Sequence, residues 1–349
     1  MAEPVQIVIV ADDLTGALDA SSPFALAGLR CVAATGPAHL AEALLQGADV
    51  VAVSTNSREL PEAEAAEILR AVAAELRDVP LVFKKIDSRL KGHVAAEVAA
   101  LATGLGMQRV LLCPAIPAMG RVVAGGWLSG FGIAAPLDVG GVLAGLPGLT
   151  VAVPEAGSDA QIDDALAQGS AGRLLVGARG LSAGLARRMG GGMQPSPLPL
   201  PRPIAFGVGS RDPITVAQVA ALVEGRAEVL HLNAPNGVSE AAPQLSELAV
   251  MQVVAGAQVA DSAQVTGDLA RSFLRVLGSG RGTFVLTGGE TVAAVLREMQ
   301  IGLLEVLGEA LPGLPLCRAL KRPDAPLIVA KSGGFGGEDC FLRLLGEKG

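Results

Sequence analysis

The sequence predicts an α/β protein of two domains, each with a mostly parallel sheet flanked by helices. Three observations predict it. The chain has 349 residues, too many for one ordinary hydrophobic core. Short apolar runs ending in polar or glycine-bearing loops alternate with helical apolar patterns along its length. Apolar residues make up 50% and charged ones 17%, while Gly and Pro are scattered throughout, so the high hydropathy reads as buried parallel strands.

The first strand is expected over residues 5–10, closing on Ala11, Asp12 and Asp13, after which Thr15 and Gly16 lead into a helical pattern through Leu18, Phe24, Ala25 and Leu29. Further buried strands are expected at 50–53, 81–83 and 110–112, with helices over 61–76 and 94–105 between them. Ligands of such sheets bind beyond the carboxyl ends of the strands. Asp12, residues 54–58, residues 84–87 and residues 114–117 all fall there, so four loops are expected to converge on one crevice. Between Val122 and Pro154 the only charge is Asp138, but Gly-Gly pairs, Pro136 and Pro147 interrupt any run of about 20 residues able to span a bilayer.

Residues 190–203 are Gly- and Pro-rich without either period, which predicts a linker or an extended crossing, with a hinge near it, and divides the chain into domains 1–200 and 201–349. Beyond it, a strand over 204–208 ends in Gly209-Ser210, a second candidate covers 252–254, and a third over 283–286 ends in Thr287-Gly288-Gly289-Glu290-Thr291. A last strand over 327–330 feeds Lys331-Ser332-Gly333-Gly334-Phe335-Gly336-Gly337. Loops of this kind suit a polyphosphate, because residues without Cβ let backbone N–H groups approach phosphate oxygens at a helix start. A GxxxxGK[ST] loop and a GxGxxG fingerprint are both absent from the sequence.

A net charge of −7 argues against a nucleic-acid partner, and the N-terminus lacks a basic stretch before its first apolar run, so a cytoplasmic protein without a membrane partner is expected. Cys31, Cys113, Cys317 and Cys340 are widely spaced and read as reduced thiols. Local cations must then serve any anionic substrate. Lys84, Lys85, Arg89 and Lys91 crowd one strand-end loop that could clamp a carboxylate and a phosphoryl group. Asp12 and Asp13 could orient substrate hydroxyls, accept a proton or hold Mg²⁺, and one of them could be only a helix cap. His39 and His231 have no partner motif; His93 follows the basic loop, where binding and polar filling are both open.

Taken together these motifs resemble the four-carbon acid sugar kinase family. The segments that carry the likeness are Ala11-Asp-Asp-Leu-Thr-Gly-Ala17, Ser57-Arg58, Lys84-Lys-Ile-Asp-Ser88, Pro114-Ala-Ile-Pro-Ala-Met-Gly-Arg121, Gly209-Ser210 with Thr215-x-x-Gln218, Thr287-Gly-Gly-Glu-Thr291, and Lys331-Ser-Gly-Gly-Phe-Gly336. The resemblance implies a sugar acid on the N-terminal domain and ATP with Mg²⁺ on the C-terminal one, the γ-phosphoryl passing to a terminal hydroxyl. It assigns Asp12, Arg58, Lys85, Asp87 and Lys91 to the substrate, and Ser210, Gly288, Gly289, Glu290, Thr291 and Gly333 to the nucleotide. Asp12 or Asp87 would accept the hydroxyl proton. The expected partners are an acid sugar and ATP, and a homo-oligomer is compatible with the sequence. In place of the family's Asp-Ser-Thr-Leu-Arg-Gly-Asn the chain has Asp87-Ser-Arg-Leu-Lys-Gly-His93, and Lys cannot reproduce a guanidinium fork, so carboxylate recognition is altered there. The alternatives are a non-catalytic sugar-acid or nucleotide sensor, a kinase for a different hydroxy acid, an NAD-linked enzyme, or an aspartyl phosphatase.

Overall fold

The structure is a computed structural model that describes residues 5–169, 172–191 and 199–346. Two compact units divide the chain, Met1–Gln194 and Pro195–Gly349. Residues 192–198 of the expected linker and hinge lie outside the described residues.

The N-terminal unit alternates as β1 (Ile7–Ala11), α1 (Leu14–Leu26), β2 (Cys31–Ala34), α2 (Leu40–Leu44), β3 (Val50–Ser54), α3 (Glu62–Glu75), β4 (Val82–Lys85), α4 (Val94–Leu105) and β5 (Arg109–Cys113). A small antiparallel sheet follows, β6 (Arg121–Ala124), β7 (Trp127–Gly130) and β8 (Leu137–Asp138). Then come β9 (Thr150–Ala152), α5 (Asp159–Ala167), β10 (Leu174–Gly177) and α6 (Arg179–Met189). The strands of the main sheet run parallel in the order β2-β3-β1-β4-β10-β5-β9. Every residue of β1 and β3 is buried, as an unbroken apolar run requires when both faces are covered. The low-charge stretch 122–154 holds β6, β7, β8 and β9, and among the described residues no helix is long and apolar enough to cross a membrane.

Strand β10 was not anticipated, and it matters. It pairs with both β4 and β5, so the loop after β5 stands one strand farther from β4 than chain order implies. Of the four loops expected to converge, those after β1, β3 and β4 meet. Among the described residues the segment after β5 joins them through Arg121, which bonds Ser88 in the loop after β4.

The C-terminal unit comprises β11 (Ile204–Val208), α7 (Pro213–Gly225), β12 (Leu230–Pro235), β13 (Leu248–Val254), α8 (Ser262–Leu277), β14 (Thr283–Thr287), α9 (Gly289–Glu298), β15 (Leu303–Leu311), β16 (Leu314–Ala319), β17 (Leu327–Lys331) and α10 (Cys340–Leu344). Its strand order is β12-β13-β11-β14-β17-β16-β15, parallel as far as β17 and antiparallel for the β15–β16 hairpin. Phe206, Val285, Val329 and Phe341 belong to the core that packs α7 and α10 on one face, while Phe273 of α8 meets Phe284 edge-on at 4.9 Å. Connections leave the adjacent strands β11 and β14 in opposite directions, which opens a crevice at their carboxyl ends.

Candidate active site

In the N-terminal unit the site begins where β1 ends. Asp12 is 3% exposed, and Arg58 from the loop after β3 grips its carboxylate with two N–H groups, Nε to Oδ2 at 2.7 Å and Nη2 to Oδ1 at 2.9 Å. A third donor, Nη1, bonds Asp13 at 2.7 Å, leaving two of the five guanidinium N–H groups. Asp13 is the helix cap: its carboxylate accepts from Gly16 N at 2.7 Å and Thr15 Oγ1 at 2.9 Å. Burial pushes the Asp12 carboxyl upward, but the Lys84 charge, the Arg58 hydrogen bonds and charge, and the Lys85 charge outweigh it, so Asp12 titrates below its ordinary value. Between its two acidic neighbours, Arg58 holds its proton still more firmly than usual despite its own desolvation.

Adjacent residues of β4 point to opposite faces, and Lys84 and Lys85 use this. Lys84 is fully buried and pairs with Glu97 of α4 at 2.7 Å; the other Glu97 oxygen accepts the Ser57 hydroxyl, itself 2.7 Å from Thr55 Oγ1. Lys85 turns toward α1, where a Cβ on Gly16 would lie 3.4 Å from its Nζ. Its ammonium donates to Ile86 O at 3.1 Å and has no other acceptor among the described residues, although it is 6% exposed. A buried ammonium with most of its donors unused is a site for an anion.

The loop after β4 closes over this point. Asp87 accepts from Arg89 N at 2.8 Å and Lys91 N at 3.5 Å, Leu90 adopts φ 59°, and Gly92 has φ 86°. Glycine is required at 92 twice over, since a Cβ there would also stand 3.1 Å from Asp12 Oδ2. Lys91 is exposed and Asp87 half-buried. Arg121 donates to Ser88 Oγ at 2.6 Å and Phe131 O at 2.8 Å, and burial together with the nearby Arg89 charge lowers its pKa. His93 lies 2.6 Å from Leu60 O, a packing role at the start of α4. Burial raises the Cys113 thiol to about 11, which removes it as a nucleophile.

Ser57, Glu97 and Arg121 were not assigned roles from sequence, and Lys84, expected with its basic neighbours to clamp an anion, is instead fully buried and spent on Glu97. Glu97 had one signal, an acid inside the otherwise apolar helical run Val94-Ala-Ala-Glu-Val-Ala-Ala100.

In the C-terminal unit, Gly209, Ser210, Arg211, Gly288, Gly289, Glu290, Thr291 and Gly333 join residues of α8 in lining a cleft of about 460 Å³. Two close approaches explain the glycines. A Cβ on Gly209 would fall 2.1 Å from Thr291 Oγ1, and one on Gly333 2.6 Å from Ser210 Oγ. Asp212 and Asp261 cap α7 and α8, whereas α9 begins at Gly288 (φ 101°) with no side-chain cap. Its first N–H groups are thus free for an anion, as its dipole favours. Glu290 is held by Ser262 at 3.2 Å and Thr266 at 3.3 Å, which turns its carboxylate toward α8. Among the described residues no group of three or more His, Cys, Asp or Glu could hold a metal.

Residues 7–175 match the family model described as a sugar-binding N-terminal domain, and residues 238–341 the one described as a nucleotide-binding C-terminal domain. The chain is 31% identical to a D-threonate kinase from Cupriavidus necator, with 95% of each covered. It belongs to the four-carbon acid sugar kinase family. This kinase-family chain is also 28% identical to a 3-oxo-tetronate kinase from Pseudomonas fluorescens, over 97% of its own length and 96% of the relative's. The fold is shared with a Salmonella typhimurium protein described as a putative tRNA synthase, at a TM-score of 0.73 and 22% identity over 97% of this chain and 98% of that one. A Haemophilus influenzae protein matches at a TM-score of 0.70 and 22% identity over 97% and 99%. Ser210 precedes the matched nucleotide-binding span, yet it lines the same cleft as Gly288 and Gly333.

Proposed function

We propose that the protein is a cytosolic, ATP-dependent kinase that phosphorylates the terminal hydroxyl of a four-carbon hydroxy acid of the threonate or 3-oxo-tetronate type. In this reading residues 1–200 hold the acid and residues 201–349 hold ATP. The observation that carries it is the pairing in the N-terminal unit of an ionised, Arg58-clamped Asp12 with an under-satisfied, buried Lys85 ammonium. One accepts hydrogen bonds from hydroxyls, and the other receives a carboxylate. The names of the relatives and the family of the chain support the same acceptor class.

Lys85 and Lys91 bind the acid's carboxylate, Asp12 orients its hydroxyls, and Arg58 keeps Asp12 in place. A carboxylate titrating below its ordinary value is a weak base, so Asp12 serves mainly to orient, and the half-buried Asp87 at the mouth of the loop after β4 is assigned any proton released by the attacking hydroxyl. Little base catalysis is needed, because phosphoryl transfer depends chiefly on positioning and charge neutralisation. Ser210, Gly288, Gly289, Glu290, Thr291 and Gly333 hold the phosphates through the loop backbones and the open N-terminus of α9. Mg²⁺ bound to those phosphates would neutralise charge on the transferring group.

The test is ADP release across D-threonate, D-erythronate and 3-oxo-tetronates, with longer hydroxy acids as controls. Turnover of a four-carbon acid in preference to the longer ones is expected. Binding of acid and nucleotide without ADP would identify a sensor instead, and preference for a longer acid would move the acceptor class. Asp12→Asn and Asp87→Asn both turning over like wild type would remove the assigned roles.

A further inference from the structure

The motif Thr215-x-x-Gln218 is left without a part in the chemistry above, as is Lys331. All three side chains are fully buried, and they meet beneath the loop of residues 332–337. Thr215 and Gln218 stand three apart on α7, hence on one face of it, and Lys331 is the last residue of β17.

Their donors go to the loop's carbonyls. Lys331 Nζ reaches Ser332 O at 3.1 Å and Gly333 O at 2.8 Å; Thr215 Oγ1 reaches Gly333 O at 2.5 Å. Gln218 Nε2 donates to Phe335 O at 3.0 Å and Gly337 O at 2.8 Å. Both partners of that amide nitrogen are acceptors, which fixes the orientation of the side chain and leaves Oε1 without a donor.

A trans peptide unit is planar, with its C=O and the following N–H pointing in opposite directions. Pinning the carbonyls of Ser332, Gly333 and Phe335 inward therefore turns the N–H groups of Gly333, Gly334 and Gly336 outward. Among the described residues none of these three amides has an acceptor in the protein. Gly333 lines the cleft, and a Cβ added to it or to Gly334 would meet Ser210 Oγ at 2.6 Å or Asp212 Oδ2 at 2.9 Å, so the strip fits its neighbours only without side chains. Successive outward amides form a concave anion site of the kind that backbone nests provide.

We propose that Thr215, Gln218 and Lys331 are positioning residues that hold the loop's carbonyls down and so keep the amides of Gly333, Gly334 and Gly336 presented as a nest for the nucleotide's phosphates. This rests on ATP occupying the C-terminal unit. None of the three touches the nucleotide; they act through the peptide planes above them.

The full chain is titrated with ADP and with adenosine, whose difference isolates the phosphates, in Thr215→Val, Thr215→Ser and Gln218→Glu. Thr215→Val removes the donor at nearly constant shape, Thr215→Ser restores it, and Gln218→Glu replaces a donor with a carboxylate facing two carbonyl oxygens. Thr215→Val and Gln218→Glu are expected to weaken ADP about tenfold or more while adenosine affinity and the KM of the acid stay within about twofold, and Thr215→Ser is expected to match wild type. Gln218→Glu buries a charge, so Thr215→Val decides if that variant fails to fold. Equal losses for ADP and adenosine, or no loss for ADP in Thr215→Val, would overturn the proposal. A wild-type chain that binds adenosine but not ADP would overturn it too, whereas one that binds neither overturns the nucleotide assignment beneath it.

Discussion

Removing Lys84 should damage the N-terminal unit in two separable ways. The ammonium is fully buried, its 2.7 Å partner Glu97 is 2% exposed, and among the described residues the second Glu97 oxygen has only the Ser57 hydroxyl. Lys84→Met therefore strands a carboxylate in the interior, a change that costs about 3–5 kcal/mol where buried pairs have been broken. For a unit of this size that is a drop in Tm of roughly 6–20 °C at 2–4 °C per kcal/mol. The second effect concerns Asp12, whose pKa is lowered by the Lys84 charge alongside the hydrogen bonds and charge of Arg58. A carboxyl with a depressed folded pKa contributes stability above its unfolded pKa and loses it as pH falls through the folded value. Without Lys84 the folded pKa of Asp12 rises, so the acid limb of kcat/KM should move to higher pH. Glu97→Gln alone strands the ammonium instead and should also destabilise. The double variant Lys84→Met/Glu97→Gln removes both charges and should recover at least half of the Lys84→Met loss, while the acid limb stays shifted because Lys84 is still absent. Thermal melts and a pH–rate series on the four proteins measure both. Single variants each within about 1 kcal/mol of wild type, or a double variant no more stable than Lys84→Met, would refute the reasoning.

Three further expectations concern other loops. Gly209→Ala places a Cβ 2.1 Å from Thr291 Oγ1 and must displace that side chain, so ADP affinity measured by calorimetry should fall by about 1–3 kcal/mol with acid binding unchanged. Burial lowers Lys331 to about 8 from an ordinary value of 10.5, so the folded state carries a cost below pH 8 that is relieved as pH rises toward the unfolded value. Relative to Lys331→Met, wild type should therefore gain on the order of 3 kcal/mol between those limits in denaturant titrations, and parallel curves would contradict this. Arg89→Thr removes a cation close enough to lower the Arg121 pKa, and it should raise the KM of the acid about three- to tenfold at low salt, with a smaller difference at about 0.3 M salt where exposed charges are screened.

The sequence by itself determined the layer architecture and the loops that matter. Buried parallel strands are short apolar runs because both faces are covered, so β1, β3, β4, β11, β14 and β17 show themselves as runs that end in polar or glycine-bearing segments. Asp12, Arg58, Lys85, Gly288 and Gly333 lie at or beyond those ends, and the family resemblance is what singled them out. Tertiary structure alone decided which groups face one another. Strand β10 enters between β4 and β5 after an excursion of some sixty residues, a matter of sheet order that no local pattern encodes. Lys84 and Lys85 are adjacent and chemically alike, yet the alternation of a strand sends one to an acid on α4 and leaves the other nearly unpartnered beside α1. Arg58 meets carboxylates more than forty residues away, and Gln218 reaches carbonyls more than a hundred residues away. Propensity and periodicity act over a few residues, whereas hydrogen-bond partners are chosen by packing, and at those distances only the folded chain brings the two together.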